Sequence, residues 1–399
     1  MPGWTVPMRA RDAGEGHRTA TVLELLFDLT FVVAAASVAT ELAHDVADGH
    51  AAEGALRFGM VFFAIWWAWM NFTWFASAFD TDDAVYRVVT LVQMAGVLVL
   101  ASGVHDAFTG DDFTTITIGY VVMRVAMISQ WLRAARGGDF APAARRYAAG
   151  IGAVQVLWLA RLALPADAQF ATFFVLAALE VAVPWWAERP GMTTWHPHHI
   201  AERYGLFAII MLGECVRAAS LAANVAVEEE GWTPDVLTVF AASLVITFAL
   251  WWIYFLKPAG EGLEGRRDRS FLWGYGHYFL FAALVALGGT LEVAVEAAEH
   301  HLEVGDLTVA LAVAVPVAAF LVLVWALHHP LGVTRAGDRE KALGAAVLTL
   351  GAGFLPVAGA SLPVALVAVA TPAVLLVVDA VAAGRAGTAR PARPASAER

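Results

Sequence analysis

The sequence predicts an all-α integral membrane protein of about twelve transmembrane helices, arranged as two six-helix repeats of the same orientation. Three observations favour this fold class. The 399-residue chain is 59% hydrophobic and 15% charged, with a mean hydropathy of +0.65, whereas soluble domains carry about 25% charged residues. Apolar runs of about 18 residues or more recur along the chain, and each can cross a bilayer core. The loops between the runs alternate in charge.

The predicted spans follow one another with short loops, at 22–43, 55–79, 84–104, 113–133, 145–164, 170–187, 199–222, 235–257, 271–295, 307–327, 340–357 and 361–382. Pro356 and Pro363 interrupt the apolar pattern between the last two, so about ten or eleven spans are the alternatives. The chain then divides into an N-terminal segment, two six-helix halves and a disordered tail rich in Arg and Pro, at 1–21, 22–187, 188–382 and 383–399.

Loop charge predicts the orientation. The odd-numbered loops contain no Lys or Arg, whereas both ends of the chain and the even-numbered loops from the fourth onward contain or adjoin them, as at Arg133 and Arg136 or Arg266 and Arg267. Under the positive-inside rule, both termini are cytoplasmic. The net charge of −11 reflects acids in the outer loops. The arginine clusters are short and explained by topology, so no nucleic-acid partner is expected.

An internal repeat is indicated by two pairs of similar segments. FAIWWAW at 63–69 resembles FALWWIY at 248–254, and Leu98-Val99 with Gly103 aligns with the segment at 284–289. Two halves of equal orientation are related by an axis along the membrane normal, and in transporters the binding site lies between such halves. This layout favours a conduction or transport role.

Glu24 and Asp28 are the leading candidates for a functional site, because they lie four residues apart on one face of the first span. A charge in the hydrocarbon region costs roughly 2.5–3.5 kcal/mol on insertion scales, so such side chains usually face protein or water. Glu202 begins the seventh span as Glu24 begins the first, and Arg203 is a candidate counter-charge for the carboxylates.

Further polar residues lie inside the spans. Arg124 and Glu180 are both near mid-depth, whereas Glu214 and Arg217, at i and i+3, can pair within one helix nearer the outer side. His277 lies nearer the cytoplasmic side. Buried ion pairs can also serve only to hold helices in register, so a structural network and a lined pathway are both open.

Several site classes are disfavoured. Cys215 is the single cysteine, so an internal disulfide and a cysteine metal site are excluded. The histidine-rich stretch at 196–202 lacks the H-E-x-x-H pattern, and no metal or cofactor is predicted. No nucleophile elbow or phosphate-binding loop is present. The acids at 80–83 most simply cap the third span.

Two motifs carry a family resemblance. ELLFDLTFV at 24–32 and ERYGLFAIIMLGE at 202–214 resemble signatures of the bacterial low temperature requirement A (LtrA) family, although Leu26 and Thr30 depart from its more apolar or aromatic choices. The resemblance implies a multi-pass protein of the bacterial plasma (inner) membrane, named for a growth phenotype in the cold and without an agreed molecular activity.

The leading hypothesis is a transporter or channel-like protein for a small ion or solute in the lipid bilayer. Its pathway residues are predicted to be Glu24, Asp28, Glu202, Arg203, Glu214, Arg217, His277 and Arg124. The alternatives are a non-transport membrane protein of stress or cold adaptation, and an intramembrane lipid-modifying enzyme that uses the carboxylates and His277 as acid–base groups. An enzyme is the weaker interpretation. Substrate, coupling and oligomeric state are left open.

Overall fold

The computed structural model describes residues 4–12, 14–16, 18–229, 231–298, 302 and 304–388. Over these residues the chain forms α-helices and short 3₁₀ turns and no strand. The helices are α1 (Val22–Ala47), α2 (Ala51–Phe79), α3 (Ala84–Ser102), α4 (Val104–Thr109), α5 (Thr114–Ala134), α6 (Ala141–Arg161), α7 (Ala166–Ala187), α8 (Pro197–Glu229), α9 (Pro234–Phe255), α10 (Ala259–Gly265), α11 (Ser270–Ala297), α12 (Asp306–His328), α13 (Asp338–Gly353) and α14 (Leu362–Thr388).

Each of the twelve predicted spans corresponds to one long helix, and α4 and α10 are short additions. Within the described residues, ten helices are long and apolar enough to cross a membrane. The helices α6 and α13 do not reach that standard. Three arginines and Gln155 make α6 less apolar, and α13 has only 16 residues. The multi-pass membrane class is therefore established, whereas the count of twelve spans is not.

The C-terminal boundary differs from the prediction. The last helix continues to Thr388, six residues beyond the predicted end at 382. The remainder of the predicted disordered tail, at 389–399, lies outside the described residues.

Helix α1 begins at a capping box that also involves a site candidate. Thr21 Oγ1 accepts the backbone N–H of Glu24 at 3.3 Å, and Glu24 Oε2 accepts the backbone N–H of Thr21 at 2.7 Å. Asp83 caps α3 as predicted, because its side chain accepts the backbone N–H of Tyr86 at 2.8 Å. The local sequence thus fixes the starts of both helices.

Helix packing follows the same order in both parts of the chain. In the first, α1 packs on α2 and α3, α3 on α5, α5 on α6 and α6 on α7. In the second, α8 packs on α9 and α11, α11 on α12, α12 on α13 and α13 on α14. The two parts meet where α1 and α2 contact α8 and α11. One crossing is very close: a Cβ on Gly289 of α11 would lie 2.3 Å from the carbonyl oxygen of Ala39 on α1.

The segment before α1 folds back on the end of α2. The Arg18 guanidinium donates to the carbonyl oxygens of Ser77 at 2.5 Å and Ala76 at 2.9 Å, and the backbone N–H of Arg11 donates to Ala78 at 2.9 Å. These carbonyls belong to the last turn of α2, where Ala76 O also accepts the backbone N–H of Asp80 at 3.2 Å and the later carbonyls have no following helical N–H to bond. Arg18 is buried by this contact. The N-terminal segment therefore covers the end of the bundle at which α1 begins.

Candidate functional site

The most deeply buried group of charges lies between α1 and α8. Glu24 and Asp28 on α1 face His199 and Arg203 on α8, so two pairs of side chains spaced four residues apart oppose each other. All four side chains are at most 1% exposed. We call these four residues the α1–α8 charge cluster.

Arg203 contacts both carboxylates. Its Nε and Nη2 atoms donate to Asp28 Oδ2 and Oδ1 at 3.0 and 2.5 Å, the bidentate arrangement that a planar guanidinium favours. Its Nη1 atom lies 2.9 Å from Glu24 Oε1 but is not aligned for a hydrogen bond. Trp69 of α2 completes the site, donating its indole N–H to Asp28 Oδ1 at 2.7 Å. The contact predicted between Arg203 and the first span is therefore present.

The charges of the cluster do not balance. The guanidinium of Arg203 is always protonated, and it faces two carboxylates. His199 Nε2 lies 3.2 Å from Glu24 Oε1, so a protonated imidazole would neutralise the cluster and a neutral one would leave a net negative charge. Glu24 Oε1 and His199 Nδ1 are buried without a hydrogen-bond partner in the described structure. The cluster can therefore take up one more positive charge.

Charged residues lead from the cluster to the surface at the end where α1 begins. Asp80, after the end of α2, lies 3.8 Å from Arg18 and 3.7 Å from Arg11, whose side chain is 33% exposed. Burial, followed by the negative charge of Glu24, raises the pKa of Asp80 to about 6. Arg11 lines a cavity of about 1010 Å³ beneath the N-terminal segment. A titratable carboxyl thus lies beside Arg11 of that cavity and responds to the charge of Glu24.

A second buried ion pair lies among the helices of the first part. Arg124 Nη2 of α5 donates to Glu180 Oε2 of α7 at 2.8 Å, and both side chains are at most 2% exposed. Trp67 donates to the same oxygen at 3.0 Å, and Gln155 donates to Oε1 at 2.7 Å. One cation faces one anion here, and both carboxylate oxygens are hydrogen-bonded. We call Arg124 and Glu180 the α5–α7 ion pair.

Both sites lie within a single family match. Residues 19–380 match the family described as bacterial low temperature requirement A protein (LtrA). This chain belongs to the LtrA family. An uncharacterized protein of Rhizobium meliloti (strain 1021) is 28% identical to this LtrA protein over 312 residues, which cover 73% of each chain. The resemblance drawn from the two sequence motifs is confirmed.

Glu202 does not join the α1–α8 charge cluster of this LtrA protein. Its side chain is partly exposed, and its Oε1 accepts the backbone N–H of Ala20 at 3.4 Å. It lines a separate groove of about 300 Å³ together with Lys257 and His328. Glu202 therefore lies near the start of α1, where Glu24 accepts the neighbouring N–H of Thr21, but it makes none of the ion-pair contacts of the cluster.

His277 forms its own buried group in the LtrA bundle. Its Nδ1 lies 2.7 Å from the carbonyl oxygen of Trp273, which requires a proton on Nδ1, so Nε2 accepts the hydroxyl of Tyr254 at 3.2 Å. The ring of Tyr204 lies 5.0 Å from that of His277 and 5.0 Å from that of Trp69. A layer of aromatic rings therefore separates His277 from Asp28.

Glu214 and Arg217 pair within α8, as their spacing predicted. Arg217 Nε donates to Glu214 Oε1 at 2.7 Å, and Nη2 contacts the same oxygen. Glu214 is 1% exposed whereas the side chain of Arg217 is 36% exposed. They lie about three helical turns from Arg203. Of the eight predicted pathway residues, Glu24, Asp28 and Arg203 therefore lie together in the α1–α8 charge cluster, and the other five lie elsewhere in the LtrA fold.

Three contributors to these sites are absent from the residues predicted from the sequence. Trp69 and Trp67 supply indole N–H donors to the buried carboxylates, and His199 contacts Glu24. Two signals could have identified them. A tryptophan in the middle of a buried helix needs an acceptor for its N–H, and His199 lies one helical turn before Arg203 on the same face.

Proposed function

We propose that this LtrA protein is a transporter or channel-like protein for a small ion or solute, and that the α1–α8 charge cluster binds the transported cation or the coupling proton. The observation that carries the proposal is the imbalance of two buried carboxylates facing one guanidinium. An uncompensated charge in a low-dielectric interior is costly, so binding of a proton or small cation there is favourable. Glu24 Oε1, which lacks a hydrogen-bond donor, supplies the ligand atom.

The position of the cluster supports this role. It lies between α1 and α8, the first helices of the proposed halves at 22–187 and 188–382. The shared packing order within the two halves supports an internal repeat. The contacts between the halves depart from simple two-fold symmetry, since α1 packs substantially on α11 whereas comparable packing of α3 on α8 is not seen among the described residues. Movement of α1 against α8 would open the cluster.

Access to the cluster is proposed from the end at which α1 begins. With both termini in the cytoplasm, as the loop charges indicate, this end faces the cytoplasm. Asp80, with a pKa of about 6, can take up and release protons near physiological pH. It lies 3.7 Å from the partly exposed Arg11, and the charge of Glu24 acts on it. A proton entering from the cytoplasm would reach Glu24 by this route.

Flux measurements on purified full-length protein in liposomes test the proposal. Proton flux is followed with an entrapped pH-sensitive dye, and sodium and potassium flux with ion-selective dyes. We expect flux in the wild type and its loss when Glu24→Gln and Asp28→Asn are combined. Glu261→Gln, on the exposed surface of α10, is the matched control and should retain flux. The proposal fails if the wild type conducts none of these ions and Glu24→Gln with Asp28→Asn leaves cellular function intact.

A structural role is the second candidate, and the near-complete burial of the α1–α8 charge cluster favours it. In that case the ion pairs only fix the contact between the two helices. Either Asp28→Arg or Arg203→Asp alone should then abolish cellular function, and the two combined in one variant should restore it. A site that binds a cation would not tolerate the exchange. The acid–base arrangement needed for a lipid-modifying enzyme is not favoured, because aromatic rings separate His277 from the carboxylates.

A further inference from the structure

A small cavity lies apart from the α1–α8 charge cluster, between α2, α5, α6, α11 and the segment after α7. Its volume is about 40 Å³. Its walls are largely aromatic, from Trp74, Trp131, Tyr147, Trp195, Phe271 and Tyr275. Aromatic faces attract cations through the negative potential above the ring.

One carboxylate lines this aromatic cavity. Glu188 follows the end of α7, and its Oε1 accepts the hydroxyls of Tyr147 at 3.0 Å and Thr193 at 2.7 Å. Neither donor is charged, and no Lys, Arg or His among the described residues lies within ion-pair distance of Glu188. Burial raises the pKa of Glu188, in keeping with a carboxyl that has no cation beside it. Two nearby arginines stack on tryptophans: Arg189 stacks on Trp185, which does not line the cavity, and Arg267 stacks on Trp195, which does.

Two polar donors that line the cavity also lack partners. Trp131 Nε1 and Ser270 Oγ are buried without a hydrogen bond to any described group, and their residues are 4% and 1% exposed. A buried donor left unpaired is destabilising, so an acceptor placed beside it binds favourably. The lining of the cavity therefore offers a carboxylate and aromatic rings to a cationic group, and two unpaired donors to an oxygen acceptor.

We propose that this cavity binds an alkylammonium group that carries an oxygen acceptor close to the nitrogen, as ethanolamine does. The small volume admits the ammonium group and its nearest carbons, and the rest of a larger molecule would project past Met192, which is 44% exposed at the mouth. A free amine and the headgroup of a lipid share this chemistry. The proposal depends on none of the residues of the α1–α8 charge cluster and stands apart from the transport proposal.

Calorimetric titration of the full-length protein in detergent tests the site, with ethanolamine, methylammonium and neutral ethylene glycol as probes at matched ionic strength. Ethanolamine should bind saturably and ethylene glycol should not. Glu188→Gln keeps an acceptor for Tyr147 and Thr193 but removes the charge, and should weaken ethanolamine binding at least about tenfold. Glu261→Gln should bind as the wild type does. The absence of saturable ammonium binding, or equal affinity in Glu188→Gln, overturns the proposal.

Trp131→Phe tests the contact to the oxygen acceptor independently of the contact to the cation. This variant keeps the ring but lacks the N–H, so it should weaken ethanolamine binding several-fold and leave methylammonium binding unchanged. An unchanged ratio of the two affinities would overturn the acceptor half of the proposal. Titrations in nanodiscs of phosphatidylethanolamine or phosphatidylglycerol show whether the natural ligand is a lipid headgroup or a free amine. Loss of ethanolamine binding only in phosphatidylethanolamine assigns the site to the lipid headgroup, whereas equal binding in both assigns it to a free amine.

Discussion

Replacing Arg203 by Met should strongly destabilise the protein. Methionine is close to arginine in length and fits an apolar setting, so the main change is loss of the charge. The guanidinium makes contacts of 2.5 and 3.0 Å to Asp28 and lies 2.9 Å from Glu24, with all three side chains at most 1% exposed. Its removal leaves two adjacent carboxylates facing each other without a guanidinium.

The size of the effect follows from burial. Removing one partner of a buried ion pair costs about 3–5 kcal/mol, because the remaining charge is desolvated and uncompensated. Arg203→Met leaves two such charges, which also repel each other, and we expect the loss to reach the top of that range. Arg124→Met is the matched control, since Arg124 is equally buried but faces the single carboxylate Glu180. It should lose less.

The free energy of unfolding, measured by denaturant titration in mixed micelles, checks this order. A neutral triple variant with Glu24→Gln, Asp28→Asn and Arg203→Met should recover more than half of the loss, because no buried charge remains. The reasoning is refuted if Arg203→Met costs less than about 1 kcal/mol, the range of exposed pairs. It is also refuted if the triple variant is no more stable than Arg203→Met alone.

Three further predictions follow from single contacts. Since the pKa of Asp80 is about 6 in the folded protein against an ordinary 3.8, its ionisation should lower stability by up to about 3 kcal/mol as the pH rises from about 4 to 6. Asp80→Asn should remove that slope from unfolding titrations, and an unchanged slope would contradict the assignment. Gly289→Ala should lower the thermal midpoint, with about 1–3 kcal/mol of overpacking, whereas Gly288→Ala, whose Cβ would make an ordinary contact at 3.6 Å, should not; equal midpoints would argue against the close crossing. Glu180→Ala should cost about 3–5 kcal/mol and Glu214→Ala clearly less, because the partner of Glu214 is 36% exposed; similar losses in denaturant titration would show that partner burial does not decide the cost.

Hydropathy and loop charge predicted the helices well because a membrane span must be apolar over its whole length. The same reasoning placed Arg124 and Glu180 at one depth, and the structure pairs them. The spans at 145–164 and 340–357 are the exceptions in apolar character. The first contains polar residues that face the protein interior, such as Gln155, which hydropathy does not distinguish from residues in a loop.

The rotation of each helix about its axis was harder to predict. A span that is apolar on all sides gives little signal for which face turns inward. Glu202 and Arg203 are neighbours in sequence but point about 100° apart around α8, so only one of them can face α1. The structure turns Arg203 inward and leaves Glu202 partly exposed. The tryptophan donors on α2 could not be predicted for the same reason, because the sequence does not show which face of α2 points toward the carboxylates.

The contrast between the two buried ionic sites bears on function. A protein that used buried charges only to fix helix contacts would need one carboxylate for each guanidinium, and the α5–α7 ion pair has this composition with both carboxylate oxygens hydrogen-bonded. The α1–α8 charge cluster has a second carboxylate, and one oxygen of Glu24 has no hydrogen-bond donor. That additional carboxylate makes burial more costly without adding a second bidentate contact. Both sites are buried, so burial does not distinguish them. The excess negative charge of the α1–α8 charge cluster favours a bound proton or cation there, and the balanced charge of Arg124 and Glu180 favours a purely structural role for that pair.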